Sequence, residues 1–254
     1  MIAVKHPNLP QSAVTVAAVS GCCPEIVQGL RQQGIEPLAV WPARTLPSPV
    51  SSHADLQLLH LGGSKVLLAQ EASSLQEPLE QYGFLTSFLS CPLGNVYPQD
   101  ISLNFLILKN YCFGLSRVMP LQLQRHCIEA NLQVMTSWQG YARCSVAVVS
   151  SNGVITADHK LAQSLTDVGF DVLLIPPGEI QLPGYDMGFI GGCCGLIDKD
   201  RLAFTGNLAH HSWGDAILAF LEKHRVTPIY LRQEPLLDIG GILPLCEAGT
   251  TITE

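Results

Sequence analysis

The sequence predicts an α/β protein in which one short structural unit is repeated five times around a central axis. Helix and strand patterns alternate along the 254 residues, and each helix–strand pair is followed by a hairpin pattern. An ordinary doubly wound sheet does not require a hairpin after every strand, so the ring is favoured. One anchor position marks the start of each hairpin. The anchors are Asp55, Asp100, Arg143, Gly191 and Asp238, and successive anchors lie 45, 43, 48 and 47 residues apart.

The hairpin at 141–158 sets this register. Its turn contains Asn152-Gly153 between two apolar, β-branched runs, which is a strong hairpin signal. Arg143 lies 11 residues before a matching position in the second strand, and the anchors of the first two hairpins show the same spacing.

The other elements follow in chain order. A strand at 13–19 precedes a helix at 24–33, which has Pro24 in its first turn and Gly34 after its end. A strand at 35–41 and a hairpin at 55–69, turning at Gly62-Gly63, complete the first unit. The helix, strand and hairpin of the later units are predicted at 76–81, 84–88 and 100–113; 121–130, 132–136 and 141–158; 159–167, 170–175 and 188–205; and 215–224, 226–231 and 238–253, where 238–245 pairs with 250–253.

Composition limits the classes of partner. Hydrophobic residues make up 47% of the chain and charged residues 14%, which indicates a large buried core and argues against disorder. The net charge of −7, with no run of Lys or Arg, argues against nucleic acid and favours a cationic small molecule or a basic protein patch. We therefore expect a single domain covering 1–254, and we leave a homo-oligomer open.

The cysteines and apolar runs indicate the compartment. No signal-peptide pattern and no apolar run of membrane-spanning length occurs in the sequence, which predicts a cytoplasmic protein without membrane contact. The nine cysteines are scattered, with no Cys-x-x-Cys and no spacing typical of zinc ligands. We expect reduced thiols, no metal and no cofactor.

This order of helices, strands and hairpins resembles the pentein fold, in which five units surround a pseudo-fivefold axis. That fold belongs to guanidine-modifying enzymes (arginine and agmatine deiminases, dimethylarginine hydrolases and amidinotransferases) and to the ribosome-binding translation initiation factor 6. The segments HADLQLLHLG, YPQDISLN, QGYARCS and GFIGGCCG also resemble an uncharacterised bacterial protein family of similar length.

The resemblance implies a ligand on the axis, with carboxylates holding a guanidinium. The aspartates at 55, 100 and 238 would hold the cation, while Gln57 and Asn104 would add hydrogen bonds. Three carboxylates at one mouth repel one another unless Arg143, a cationic ligand or raised pKa values neutralise them. The competing interpretation is that the aspartates cap turns at strand starts and that Asn104 satisfies a buried backbone group.

The catalytic pattern of the resembled enzymes is not matched. Their Cys follows Gly-Gly-x-x in the last unit, where this chain has Pro244 after Gly240-Gly241-Ile242-Leu243, and their third-unit His falls at Gln139-Gly140-Tyr141. Within this chain the nucleophile candidates are Cys144, beside a cationic anchor, and Cys193, in the inward register. His53 is the candidate general base. The alternatives are buried apolar cysteines and a histidine packed on the rim.

These observations predict binding of a small cationic or guanidino compound at the axial mouth. If the protein is an enzyme, we expect Cys-dependent hydrolysis or amidino transfer at a C–N bond. The alternative is a non-catalytic propeller that binds a protein, comparable to translation initiation factor 6. An open sheet would instead favour an ordinary α/β protein in which the cysteines have a redox or metal role.

Overall fold

The computed structural model of the chain describes residues 1–249. It contains five small sheets, one of four strands and four of three. This confirms the prediction of five units in a pentein-like α/β propeller. No helix among the described residues is long and apolar enough to cross a membrane.

Each unit has one construction. Two strands form an antiparallel hairpin, a helix follows, and a third strand returns parallel to the second. Units I to V are named here by the order of their hairpins. Unit I contains strands Leu58–Gly62 and Lys65–Leu68, helix Gln76–Gln81 and strand Leu85–Phe88; unit II contains Leu106–Leu108, Tyr111–Gly114, Leu121–Glu129 and Gln133–Thr136; unit III contains Val146–Val148, Gly153–Thr156, His159–Asp167 and Asp171–Leu174; unit IV contains Cys194–Asp198, Arg201–Phe204, Gly214–Lys223 and Thr227–Tyr230. The predicted order of helix, strand and then hairpin is therefore shifted, because the helix and third strand join the sheet of the preceding hairpin.

Unit V joins the two ends of the described chain. Its strand Leu243–Glu247 pairs antiparallel with Val14–Ser20, which is followed by helix Pro24–Gln32 and parallel strand Glu36–Val40. Ile2–Ala3 adds a fourth strand on the other side of Leu243–Glu247. The partner predicted at 250–253 lies outside the described residues. The N-terminal strand thus completes the sheet of unit V, and it pairs on both sides so that neither of its edges is left open.

The sequence predicted that the anchors begin the hairpin strands, but in the structure they lie before those strands. Short helical turns precede three of the hairpins, at Ala54–Gln57, Ala142–Ser145 and Ile190–Cys193. Asp100 lies in a turn and Asp238 in a segment without regular structure. The predicted alternation of facing side chains therefore fails at these positions, because successive side chains of a helical turn point about 100° apart rather than to opposite faces.

Burial places the hairpins at the centre of the ring. The hairpin strands of units I to IV are almost entirely buried, whereas third strands such as Leu85–Phe88 and Gln133–Thr136 are partly or largely exposed. The helices bury one face each, as in Pro24–Gln32, where Ile26 and Leu30 point inward. Apart from those already given, short 3-10 turns occur at Ser48–Val50, Gln70–Leu75, Ser116–Val118 and Leu208–His210.

Candidate active site

A pocket of about 170 Å³ opens beside the short helical turns of units I and III. Three buried polar side chains line it, namely His53, Cys144 and Asp238, which are 3%, 2% and 3% exposed. The remaining lining residues are apolar or aromatic: Val50, Leu56, Tyr141, Leu182, Tyr185, Met187 and Phe189. Concave, largely apolar pockets with a few polar groups are typical small-molecule sites.

A thiol and a carboxylate meet at the floor of this pocket. The Cys144 thiol donates a hydrogen bond to Asp55 Oδ2, 2.7 Å away, although the two residues are 89 positions apart. Ligand atoms of His53, Asp55 and Cys144 all lie within 4.8 Å of one another. Unit III therefore supplies a thiol, and the segment before the unit I hairpin places an imidazole and a carboxylate beside it.

Asn104 holds the turn that carries the thiol. Its Oδ1 accepts hydrogen bonds from the backbone N–H groups of Arg143 (2.9 Å) and Cys144 (3.2 Å). Its Nδ2 donates to Cys144 Sγ at 3.2 Å and to the Asp55 carbonyl at 3.3 Å. One buried amide thus fixes the sulfur relative to the carboxylate, and it also satisfies buried backbone groups, as the competing interpretation of Asn104 expected.

Asp238 is held from both sides. Its Oδ2 accepts from the Phe189 N–H at 2.9 Å, and its Oδ1 accepts from the Gly240 N–H at 3.0 Å. The same Oδ1 lies 3.8 Å from His53 Nδ1. Gly240 has φ +77°, and a Cβ there would overlap His53, so only glycine permits this approach.

Burial raises the pKa values of Asp55 and Cys144, the two groups joined by the hydrogen bond at the pocket floor. It raises the pKa of Asp55 to about 6, an effect that the positive charges of His53 and Arg143 only partly offset. Burial, followed by the negative charges of Asp55 and Asp238, raises the pKa of the Cys144 thiol well above its usual range. Without a ligand, the sulfur is therefore a thiol, and a cation in the pocket would favour the thiolate.

Aromatic side chains form one wall. The rings of Tyr141 and Phe189 are stacked, with centroids 5.8 Å apart and planes inclined by 30°. The Tyr141 hydroxyl donates to Asp100 Oδ2. Burial and the hydrogen bond to Asp100 raise the pKa of Tyr141, so this hydroxyl stays protonated. Tyr185 and Met187 remain 48% and 41% exposed at the mouth.

Several predicted site residues lie outside the pocket lining. Asp100 receives the Tyr141 hydroxyl, and Gln57 Nε2 donates to the carbonyls of Trp41 (2.8 Å) and Ser51 (2.6 Å). The Cys193 thiol donates to the Ile190 carbonyl at 3.1 Å.

Arg143 also faces away from the pocket. It donates to the Gly191 carbonyl at 3.2 Å and shares a separate, smaller cavity with Asp55. The helical turn that contains Arg143 directs its side chain away from the pocket, so Arg143 packs behind the residues that line it.

The aromatic wall was missed from sequence alone, although the register contained the signal. His53, Tyr141 and Phe189 each lie two residues before an anchor, at 55, 143 and 191, and all three line the pocket. Leu56 and Cys144 each lie one residue after an anchor and also line it. Apart from Asp238, which is an anchor and lines the pocket, the inward positions of the repeat therefore flank the anchors.

His53, Asp55 and Cys144 also form a set that could hold a metal ion. Imidazole, carboxylate and thiolate are the ligand types of zinc, and three protein ligands leave a fourth position open. Metal binding would require Cys144 to lose the proton that it now donates to Asp55. The sequence predicted neither a metal nor a cofactor here.

Comparisons with known proteins bear on the fold and the family. The family described as "Family of unknown function (DUF6873)" matches residues 19–243, so the chain belongs to that family. No curated protein sequence matches the chain.

Similar solved structures include SxtG, an amidinotransferase of the saxitoxin biosynthetic pathway from Microseira wollei. Its TM-score is 0.63 at 12% identity, with 98% of each chain covered. The inosamine-phosphate amidinotransferase StrB1 from Streptomyces griseus has a TM-score of 0.62 at 11% identity, also with 98% of each chain covered. DDAH from Pseudomonas aeruginosa, complexed with citrulline, has a TM-score of 0.55 at 8% identity, covering 86% of this chain and 93% of that one. These similarities confirm the pentein fold that the sequence predicted.

Proposed function

We propose that this member of the DUF6873 family binds a small guanidine or amidine cation in the pocket of His53, Cys144 and Asp238, and that Cys144 reacts with it. The observation that carries the proposal is the convergence of the Cys144 thiol with Asp55 and His53, all within 4.8 Å, on the floor of an open pocket. The pentein enzymes that resemble this chain in fold include amidinotransferases, and amidino transfer is one of the two reactions proposed here.

The charges of the site favour a cation. Asp238 lines the pocket, and Asp55 lies directly behind the thiol. Both carboxylates are 3% exposed or less, and each raises the pKa of Cys144. A planar cation beside them would offset these negative charges and lower the pKa of the thiol. The nucleophile would therefore be activated by the substrate that it attacks, and it would stay inert towards neutral molecules.

The reaction follows from this arrangement. Cys144 Sγ gives its proton to Asp55, whose raised pKa of about 6 still leaves it mostly ionised at neutral pH. The thiolate adds to the central carbon of the bound cation and forms a C–S bond. An existing C–N bond of this adduct then breaks, and the departing amine takes a proton from His53. Water or a second amine then releases the carbon from sulfur, which gives hydrolysis or amidino transfer respectively.

Affinity labelling tests the proposal. Chloroacetamidine carries a cationic amidine, whereas chloroacetamide has nearly the same shape without the charge. We expect mass spectrometry to find Cys144 modified faster by the cationic reagent, while the exposed Cys22 serves as an internal reference for intrinsic reactivity. Excess guanidinium or methylguanidinium should protect Cys144 and leave Cys22 unchanged. Equal rates for the two reagents at Cys144 would contradict the proposal.

A binding measurement separates recognition from chemistry. Calorimetric titration with methylguanidinium should show binding to the wild type and weaker binding to Asp238→Asn, because the carboxylate facing the pocket is lost. A matched control is Asp200→Asn, which removes a negative charge at the exposed hairpin turn of unit IV. Binding without any Cys144 reactivity would indicate a cation-binding protein that is not an enzyme.

The same three groups favour a second candidate function, a zinc site. The observation is again the spacing of His53, Asp55 and Cys144, which would leave an open fourth position towards the pocket. Titration with Zn²⁺ in the presence of a metal buffer tests it, with Cys144→Ser as the variant that removes one ligand. Unchanged Zn²⁺ affinity in that variant would exclude this candidate.

A further inference from the structure

The lining of the pocket favours particular chemical groups in the part of the ligand that lies away from its cationic head. We propose that its ligands carry a single cationic head and an apolar or aromatic tail, and that free α-amino acids such as arginine are excluded. An arylalkyl guanidine is the simplest compound of this class. The inference rests on the function proposed above and names the substrate class of that site.

Charge is the first argument. Besides Cys144 and the tyrosines at 141 and 185, the ionisable side chains on the pocket lining are Asp238 and His53, and no Lys or Arg is among the described residues that line it. Recognition of a carboxylate ordinarily uses an Arg or Lys, or free backbone N–H groups. Arg143 lies behind the floor and donates to Gly191, so it does not reach the pocket. A ligand carboxylate would therefore lie near Asp238 without a compensating cation.

Two backbone donors at the pocket are also occupied. The Phe189 N–H donates to Asp238 Oδ2, and the Tyr185 N–H donates to the Leu182 carbonyl at 3.0 Å. A carboxylate or phosphate entering beside these residues would have to displace hydrogen bonds that already exist. An anionic group at this wall would lose its hydrogen bonds to water without gaining free backbone donors from these two residues.

The walls supply the positive argument. Seven of the ten lining residues are apolar or aromatic, and the stacked pair of Tyr141 and Phe189 is fixed by the bond to Asp100. At the mouth, Tyr185 and Met187 leave apolar surface exposed that a ligand tail would cover. The pocket has about 170 Å³ of free space and opens to solvent beside Tyr185 and Met187, so a tail can extend from the head along the apolar wall.

Two pairs of compounds test the inference by calorimetry. In the first pair, 4-guanidinobutanoate and its amide differ in one carboxylate, and we expect the carboxylate to weaken binding about ten-fold or more. In the second, hexylguanidine and agmatine contrast an apolar end with an ammonium end, and we expect hexylguanidine to bind more tightly. Methylguanidinium reports on the head alone, so its binding tests the function on which this inference rests.

Variants at the mouth test the same point from the protein. Met187→Arg supplies the missing cation at an exposed position, and we expect it to raise the affinity for 4-guanidinobutanoate about ten-fold relative to its amide. Tyr185→Ala should weaken 2-phenylethylguanidine several-fold and leave methylguanidinium unchanged. Leu218→Ala, at a partly exposed position of the unit IV helix, is the matched control and should change neither.

The outcomes are distinguishable. If methylguanidinium and hexylguanidine both fail to bind, the proposed function and this inference fall together. If methylguanidinium binds but 4-guanidinobutanoate or arginine binds as tightly as the apolar compounds, only the inference about the tail is overturned. Unchanged binding of 2-phenylethylguanidine to Tyr185→Ala would overturn that inference as well.

Discussion

The turns Ala142–Ser145 of unit III and Ile190–Cys193 of unit IV occupy matching places in the repeat, yet their cysteines have different surroundings. The Cys144 thiol donates to the carboxylate of Asp55 and lines the pocket. The Cys193 thiol donates to the Ile190 carbonyl of its own turn and does not line the pocket. Both thiols are buried, and burial raises the pKa of both. Cys144 lies one residue after its anchor, whereas Cys193 lies two residues after its own. The difference teaches that the position within the turn, together with partners from other units, decides which thiol can react.

The largest expected effect breaks this comparison directly. Cys144→Ser should abolish labelling of the pocket by chloroacetamidine, a loss of about 100-fold or more in the rate of modification at that site. Cys193→Ser should change the rate at Cys144 by less than about two-fold, because its thiol donates to the Ile190 carbonyl and does not line the pocket. Peptide mass spectrometry measures both rates. A comparable loss in the two variants would show that the pocket geometry does not distinguish the two thiols.

Asn104 is the second difference, because it accepts hydrogen bonds from the backbone of the unit III turn and not from that of the unit IV turn. Asn104→Ala would leave the buried N–H groups of Arg143 and Cys144 without an acceptor, and we expect a loss of about 2–5 kcal/mol in the free energy of unfolding. Asn152→Ala, at the exposed hairpin turn, is the control and should cost less than about 0.5 kcal/mol. Urea denaturation measures both. A small loss of unfolding free energy in Asn104→Ala would mean that the unit III turn is stable without the Asn104 side chain.

Asp55 is the carboxylate that Cys144 has and Cys193 lacks. Burial raises the pKa of Asp55 to about 6 from 3.8, so the folded protein binds the extra proton between these values. Its contribution to stability is therefore full below about pH 4 and is lost as the pH rises through 6. Relative to wild type, Asp55→Asn should gain up to about 3 kcal/mol between pH 4 and pH 8.

Asp171 provides a control of opposite sign. Hydrogen bonds from Lys223 and His224 lower the pKa of Asp171, so its stabilising effect is present near neutral pH and is lost on acidification. The advantage of the wild type over Asp171→Asn should therefore shrink as the pH falls below about 4. Chemical denaturation across the pH range checks both directions. A pH-independent difference for Asp55→Asn would rule out the raised pKa.

The smallest effect makes the two turns more alike. Tyr141 precedes the unit III turn, and Phe189 holds the same place before the unit IV turn. Tyr141→Phe removes the hydroxyl that donates to buried Asp100, and we expect a loss of about 1–2 kcal/mol of stability. Tyr111→Phe, a tyrosine outside the pocket, is the control. Thermal unfolding measures both, and equal shifts would contradict a special role for the Asp100 contact.

Much of the fold could be predicted because its signals are local. The helix predicted at 159–167 is observed at His159–Asp167, where the Asp158 side chain accepts from the Leu161 N–H at 2.8 Å. The unit II hairpin was predicted to begin at Asp100 but begins at Leu106, because turns occupy the intervening residues. The sequence shows which residues are apolar, whereas it does not show that a polar anchor forms a helical turn before its strand.

The candidate site was predictable only in part. The sequence pointed to Cys144, His53, Asp55 and Asp238, which the structure brings together, but it also pointed to Gln57 and Cys193, which lie elsewhere. The error has one physical source. Strand alternation was assumed at positions where the backbone is helical, so side chains two residues apart do not share a face.

The sequence by itself determined the number of units, their spacing and the residue types at their anchors, because hydrophobic periodicity and turn residues act over a few neighbouring positions. Only the tertiary structure decided that the N-terminal strand closes unit V, that a thiol meets a carboxylate 89 residues away, and that a stacked aromatic pair forms the wall. These contacts join distant parts of the chain. Their geometry, and the pKa of Asp55 that follows from it, depends on how whole units pack around the axis.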